Sequence, residues 1–264
     1  MDGTETLPAD LVVQGRPTRY RQAGSGRPVL LIHGAGGSGE LWGPQLAGLG
    51  DVGRLLAVDL PGHGGTSGPG LLAVQAYADW IVAFLDSARI NRAVVVGHSM
   101  GGAIAQTLAL DRPERLDGLA LVATGGRLRV LRRLLDAFRE TPGEGRTLLQ
   151  GLSYGAATPP DRVAVAGRVL ADTPPLVTLG DFLACDRFDV LDRLDRVDVP
   201  TLVVVGTEDR LTPPRFAGAL AGRIPAARLV EIPGAGHFPQ IEAPESVVRA
   251  IREFVVSLDE NPLP

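Results

Sequence analysis

Residues 93–110 read AVVVGHSMGGAIAQTLAL. Ala93–Gly97 is a short apolar run rich in valine, suited to a strand buried on both faces. From Met100 onward the residues are mostly small or straight-chained and suit a helix. Gly97-His98-Ser99-Met100-Gly101 must therefore turn the chain sharply between the two. A serine at such a turn projects its hydroxyl past the carboxyl edge of a sheet. The N–H of Met100, at the helix start, is left free to face a developing oxyanion. Ser99 is the candidate nucleophile.

The pentapeptide alone does not decide this. With 34 Gly and 8 Ser in the chain, chance supplies about 0.1 matches to G-x-S-x-G, yet Gly151-Leu152-Ser153-Tyr154-Gly155 is a second one. AATPPD follows it and cannot open a long helix. Context selects Ser99 over Ser153.

Outward from this stretch, further apolar runs predict strands at Val29–His33, Leu55–Asp59, Leu119–Ala123, Thr201–Gly206 and Arg228–Pro233. Helical patterns fall between them, at Leu71–Ala88, Pro214–Gly222 and Pro244–Leu258, and Leu11–Ala23 suggests an opening antiparallel hairpin. Strands alternating with helices predict an α/β fold with a mostly parallel central sheet flanked by helices. Residues 125–196 break the rhythm. They hold helix-like stretches (Leu128–Arg139, Asp161–Leu170, Leu176–Ala184) between Gly and Pro clusters, with no strong strand. They read as a helical lid inserted after the sixth strand, leaving 1–124 and 197–264 as the core; ordinary crossover helices are the alternative.

Three loops carry further chemistry. His33-Gly34-Ala35-Gly36-Gly37-Ser38 follows a strand and can bring backbone N–H groups to an oxyanion, so Ala35 and Met100 are the expected oxyanion hole. This loop lacks the Lys-Ser/Thr of a phosphate-binding loop and the full G-x-G-x-x-G order. His33, at a strand end, reads as structural. Beyond the strand Thr201–Gly206 stand two acids, Glu208 and Asp209, either of which could orient an imidazole. His237, in Pro233-Gly234-Ala235-Gly236-His237-Phe238-Pro239, is the one histidine of four that follows both Ser99 and those acids. Ser…Asp/Glu…His is a known triad order.

Composition narrows the remaining classes. Hydrophobic residues make up 45% and charged residues 21% of 264, ordinary globular proportions that exclude a disordered chain. The 26 basic residues are all arginines, scattered rather than striped, against 30 acidic ones, so nucleic acid is not an expected partner. Cys185 is alone and cannot form an internal disulfide. No apolar run reaches membrane-span length. The opening MDGTETLPAD lacks the basic and apolar regions of a secretory leader. The expectation is a cytoplasmic protein without a membrane partner, its oligomeric state open, and with a frayed tail at Asp259–Pro264.

Taken in order, HGAGGS, VDLPGHGGT at Val58–Thr66, GHSMGG, VVVGTEDRLTP at Val203–Pro213 and PGAGHFPQIEAPE at Pro233–Glu245 resemble the α/β-hydrolase superfamily over nearly the whole chain. The likeness is to lid-bearing carboxylesterases, enol-lactone hydrolases and cofactor-free haloperoxidase-like members. It implies the α/β-hydrolase fold, Ser99 as nucleophile, Asp209 as acid, His237 as base and a cap over the site, with His63 a structural turn residue. Dehalogenases and epoxide hydrolases of this fold carry an aspartate where this chain has Ser99, so acyl transfer is the implied reaction.

The expected function is hydrolysis of a small to medium carboxylic ester through an acyl-enzyme, with no cofactor and no metal. The same triad would serve a lactonase, a carbon–carbon bond hydrolase or a perhydrolase. A hydrolase-like protein that only binds its ligand, and a nucleotide-binding protein, are the rivals from other classes. Tyr154, Phe182, Cys185, Phe188 and Phe238, with Leu179 and Leu183, are the expected apolar substrate wall, although any of them could simply pack the lid onto the sheet. Cys185 reads as a buried small hydrophobe rather than a second nucleophile.

Overall fold

A computed structural model describes residues 7–225 and 227–260. The first six residues of the N-terminal stretch, and the tail from residue 261, lie outside them. The opening hairpin is present as β1 (Leu7–Val13) and β2 (Arg16–Ala23). Then come β3 (Pro28–Ile32), α1 (Gly43–Leu49), β4 (Arg54–Val58), α2 (Val74–Ser87), β5 (Ala93–His98), α3 (Met100–Asp111) and β6 (Leu116–Val122). Four helices follow without an intervening strand: α4 (Arg132–Glu140), α5 (Pro142–Ser153), α6 (Pro160–Asp172) and α7 (Pro175–Arg187). The chain closes with β7 (Thr201–Gly206), α8 (Pro214–Arg223), β8 (Ala227–Ile232), the single turn α9 (Pro239–Glu242) and α10 (Pro244–Glu260).

The eight strands form one sheet in the order β1-β2-β4-β3-β5-β6-β7-β8. Only the pairs β1–β2 and β2–β4 are antiparallel. Successive strand residues point to opposite faces, so each run of valine and leucine feeds two cores. Leu30, Ile32, Val95, Leu119, Leu121, Val203 and Val205 pack under α2 and α3. Val29, Leu31, Val94, Val96, Val122, Leu202 and Val204 pack under α1 and α10. In α10, Val247, Ala250, Ile251, Phe254, Val255 and Leu258 recur at helical spacing and all face the second core. A third cluster joins the inserted helices to one another and to Leu41, Phe238 and Ile241 of the core.

Three expectations need correction. The last strand is not buried on both faces: Arg228, Leu229 and Glu231 are exposed, because β8 is the sheet edge and pairs with β7 alone. The helix expected from Leu128 begins only at Arg132, since Arg127 is drawn into a bridge with Asp189 and Leu128 N donates to Phe188 O. And α5 went unread. Its proline and glycines argue against a helix by propensity, but Pro142 sits in the first turn, where it is tolerated, and burial of Leu149 and Ser153 stabilises the rest. Ser153 is thus the last residue of a helix, not the corner before one. No helix of the described residues is long and apolar enough to cross a membrane.

Candidate active site

The sharp turn after β5 is present as read. Ser99 has φ 53° and ψ −114°, a conformation that costs a non-glycine residue on the order of 1–3 kcal/mol and persists only where packing enforces it. The enforcement is a close approach of backbone on both sides. A Cβ on Gly97 would sit 2.2 Å from Gly101 O, and one on Gly101 would sit 2.3 Å from Ile32 O. Ser99 N donates to Val122 O, and Thr124 Oγ1 donates to Ser99 O. The serine is therefore fixed at both ends before its hydroxyl does anything.

Two other loops bring their side chains to it. His237 Nε2 lies 3.0 Å from Ser99 Oγ, and His237 Nδ1 lies 2.9 Å from Asp209 Oδ2. Asp209 is buried beyond the end of β7, where Leu211 N, Thr212 N and Thr212 Oγ1 all donate to it. Burial pushes its carboxyl up, but the His237 ring and the Thr212 donors outweigh burial and hold it below the usual carboxylate range. The competing acid, Glu208, is exposed and turns to the insert, accepting from Ala156 N. Geometry thus separates two neighbouring acids that spacing alone left open.

The main chain of His237 is held from two directions. His237 N donates to Ser153 O at 2.6 Å, and His98 Nε2 donates to His237 O at 2.7 Å. Burial first, and then the nearby His237 ring, push His98 down to about 3, so it stays neutral and donates from one nitrogen only. Glu242 ties the same loop, accepting from Gly236 N, Phe238 N and Gly155 N. His98, Thr212 and Glu242 were not singled out from the sequence. Glu242 stands inside the quoted PGAGHFPQIEAPE; an acid five residues after a loop histidine was the available signal. The decoy pentapeptide turns out to be an anchor, through the carbonyl of Ser153 and the N–H of Gly155.

A cavity of about 280 Å³ opens over Ser99. Ala35, Ser99 and His237 line its floor. Leu128, Val130, Leu134, Phe182 and Cys185 come from the segment between β6 and β7, and Leu211 and Phe216 from the side of α8. Three arginines, Arg129, Arg210 and Arg215, also line it, and none of them forms an ion pair among the described residues. The N–H groups of Ala35 and Met100 have no protein partner among the described residues, and Ala35 faces the cavity.

Of the expected substrate wall, Phe182 and Cys185 line the cavity and Tyr154, Phe188 and Phe238 do not. Phe238 stacks on Tyr154 at 5.6 Å and lies tilted against His98 at 4.9 Å, behind the histidine rather than in front of it. Phe188 leaves α7 at its end and packs into the core under α3. Burial, with Asp181 and Asp186 nearby, pushes the Cys185 thiol far up, so it is no thiolate. His33 sits in the strand-end role read for it: Leu60 N donates to its Nε2 and its Nδ1 donates to Gly34 O. Among the described residues no group of three His, Cys, Asp or Glu is placed to hold a metal ion.

Known proteins resemble this chain over most of its length. A model described as the alpha/beta hydrolase family matches residues 29–250. A pimeloyl-[acyl-carrier protein] methyl ester esterase of Neisseria meningitidis is 32% identical over 245 residues, 87% of this chain and 93% of the relative. A 2-hydroxymuconate semialdehyde hydrolase of Pseudomonas putida is 29% identical over 272 residues, 95% of this chain and 94% of the relative. Among solved structures, a thermophilic esterase from Thermogutta terrifontis superposes with a TM-score of 0.87 at 29% identity, covering 96% of this chain and 99% of that one. The enol-lactonase from Burkholderia xenovorans superposes at 0.88 with 25% identity, covering 94% and 100%.

Proposed function

Starting from a chain that belongs to the alpha/beta hydrolase family, we propose that it cleaves a small to medium carboxylic ester through an acyl-enzyme on Ser99. The observation that carries this is the unbroken relay from Ser99 Oγ through His237 to Asp209, at 3.0 and 2.9 Å, opening on a cavity. A protein that only binds its ligand has no use for a strained serine within hydrogen-bond reach of an imidazole.

In the proposed reaction Ser99 Oγ attacks the ester carbonyl carbon while His237 Nε2 takes its proton. Asp209 accepts from Nδ1–H, fixes that tautomer and stabilises the imidazolium. The carbonyl oxygen, now negative, is received by the N–H groups of Ala35 and Met100. Collapse breaks the carbon–oxygen bond, and His237 returns its proton to the departing alcohol. Water then attacks the acyl-enzyme with the same base, releasing the acid and restoring Ser99. The helices between β6 and β7 act as a cap, since Phe182 and Cys185 supply one wall of the cavity.

The lining favours an apolar acyl group. The three arginines have no carboxylate partner among the described residues, although Arg129 and Arg210 donate to backbone carbonyls and Arg215 lies over Phe216. They favour an ester that carries a carboxylate of its own. The esterase and enol-lactonase relatives keep the lactone reading next in line, because a lactone is an ester whose alcohol stays tethered.

The test is incubation with a fluorophosphonate probe, followed by intact mass and peptide mapping. The expected result is one adduct on Ser99, absent in Ser99→Ala and retained in Ser153→Ala. Folded protein without an adduct would overturn the activated-serine reading. Turnover is then compared across neutral esters, dicarboxylic monoesters, lactones and vinylogous 1,5-diketones. Faster turnover of the monoesters supports the role given to Arg129, Arg210 and Arg215, and equal rates remove it.

A further inference from the structure

Outside the site just described, another wholly buried cluster of ionisable groups lies on the far side of the Gly34–Gly37 loop. Its centre is Asp181, on α7, with no exposed surface. Its carboxylate accepts three hydrogen bonds from three separate parts of the core. His63 Nε2 lies 2.8 Å from Oδ2, the Tyr77 hydroxyl donates to Oδ1 at 2.7 Å, and Gly36 N donates to Oδ2 at 2.9 Å. The other His63 nitrogen lies 3.0 Å from Pro61 O. With a carbonyl and a carboxylate at its two nitrogens, the ring is placed to donate at both. Tyr77 is likewise committed, since its oxygen accepts from Leu71 N at 3.0 Å.

One of these bonds matters more than the rest. Gly36 follows Ala35 directly, and Ala35 is the residue whose free N–H faces the cavity. Thr178, one turn before Asp181 on α7, lies against Gly36 as well. The inserted helix therefore grips the main chain of this loop with two side chains on one face. A carboxylate fully satisfied by an imidazole, a phenol and a backbone amide is a rigid fixture, and such networks fix a single geometry.

We propose that Asp181 is a positioning residue for ester cleavage, holding the Gly34–Gly37 loop so that the Ala35 N–H meets the oxyanion only when α7 is seated. The proposal rests on the serine-hydrolase reading above. It differs from a purely structural role in what it moves. A staple between helix and core changes stability, whereas a fixture of the oxyanion loop changes the rate of the chemical step.

The experiment compares wild type, Asp181→Asn and Tyr77→Phe on 4-nitrophenyl butyrate, with kcat, KM and Tm measured on each. Affinity for an aryl trifluoromethyl ketone, whose serine adduct carries an oxyanion, is measured alongside. Loss of a whole oxyanion donor lowers kcat about 10²–10³-fold, so a displaced one in Asp181→Asn should lower it roughly 10- to 100-fold with KM within about twofold. Ketone affinity should fall by a similar factor. In Tyr77→Phe, which keeps the carboxylate and loses one donor, both should fall roughly three- to tenfold. Wild-type kcat and ketone affinity in folded Asp181→Asn, with only Tm lowered, would overturn the proposal. If Asp181→Asn does not fold, unchanged kcat in Tyr77→Phe overturns it equally. Failure of wild type itself to label or turn over would instead remove the reading beneath.

Discussion

Two buried histidine–aspartate pairs sit on either side of the same glycine-rich loop. His237 and Asp209 are 2.9 Å apart, His63 and Asp181 2.8 Å. Both pairs are shielded from water, and both carboxylates accept further donors. They differ at the second ring nitrogen. In His237 it faces a hydroxyl, which can give up a proton, at the wall of a cavity. In His63 it faces the carbonyl of Pro61, which cannot. An imidazole–carboxylate pair becomes a base through what its far nitrogen can exchange with, not through the pair itself. Among the described residues the closed pair has no group with which to exchange a proton; the open pair can pass one on.

That contrast can be broken most severely at Ser99. Ser99→Ala removes the group with which His237 exchanges, and kcat on a 4-nitrophenyl ester should fall by about 10⁴-fold or more, with fold and Tm retained. Asp209→Asn should come next, lowering kcat roughly 10³- to 10⁴-fold because an amide lets the imidazole adopt the wrong tautomer. An unchanged pH profile and rate in Asp209→Asn would transfer the acid's role to Glu208.

At the closed pair, beside the loss of rate expected from loosening Asp181, removal of the His63 ring should appear in stability. Burial disfavours a charged His63, but the Asp181 carboxylate outweighs it and raises the ring above its usual value, with Pro61 O and Asp59 adding to the effect. The other groups facing this pair are His33, which stays neutral, and the Tyr77 phenol. A group raised in the folded state contributes most below its unfolded value of about 6.5 and loses that contribution as pH climbs through the folded value. His63→Gln should therefore lower Tm by roughly 10 °C near pH 6. The gap to wild type should narrow as the pH is raised. A gap that widened instead would show that His63 is neutral in the fold. The smallest effect is expected for Ser153→Ala. His237 is held by the Ser153 carbonyl, and the hydroxyl bonds only to Leu149 O within the helix. Activity should stay within about twofold of wild type.

The open pair was legible in the sequence and the closed one was not, for a physical reason. Ser99 and Asp209 each follow a wholly buried strand, and His237 follows the edge strand β8 on a glycine- and proline-rich loop, so a local pattern of strand and glycine turn marks the place of each. Asp181 lies in the middle of a helix, and its partner is 118 residues away. No local pattern announces an acid whose neighbours arrive from α2 and from two other loops. The same limit explains the substrate wall. Phe182 and Phe238 look alike as loop or helix aromatics, and only the packing shows one before the serine and the other behind the histidine. The middle of the sheet, β3 to β7, was legible because buried parallel strands are continuous apolar runs, while α5 was hidden by glycines that tertiary packing tolerates.

The attachment of the insert has a consequence for modular engineering. The segment between β6 and β7 supplies the carbonyl that holds the amide of His237, the Gly155 N–H that shares Glu242 with the histidine loop, and the carboxylate that fixes the amide of Gly36. It is therefore not an exchangeable cassette whose replacement would alter selectivity alone. A chimera carrying another family member's insert must bring a carbonyl and a carboxylate to the same two amides. Without them, the graft would gain a new cavity wall and lose the geometry on which the proposed reaction of Ser99 rests.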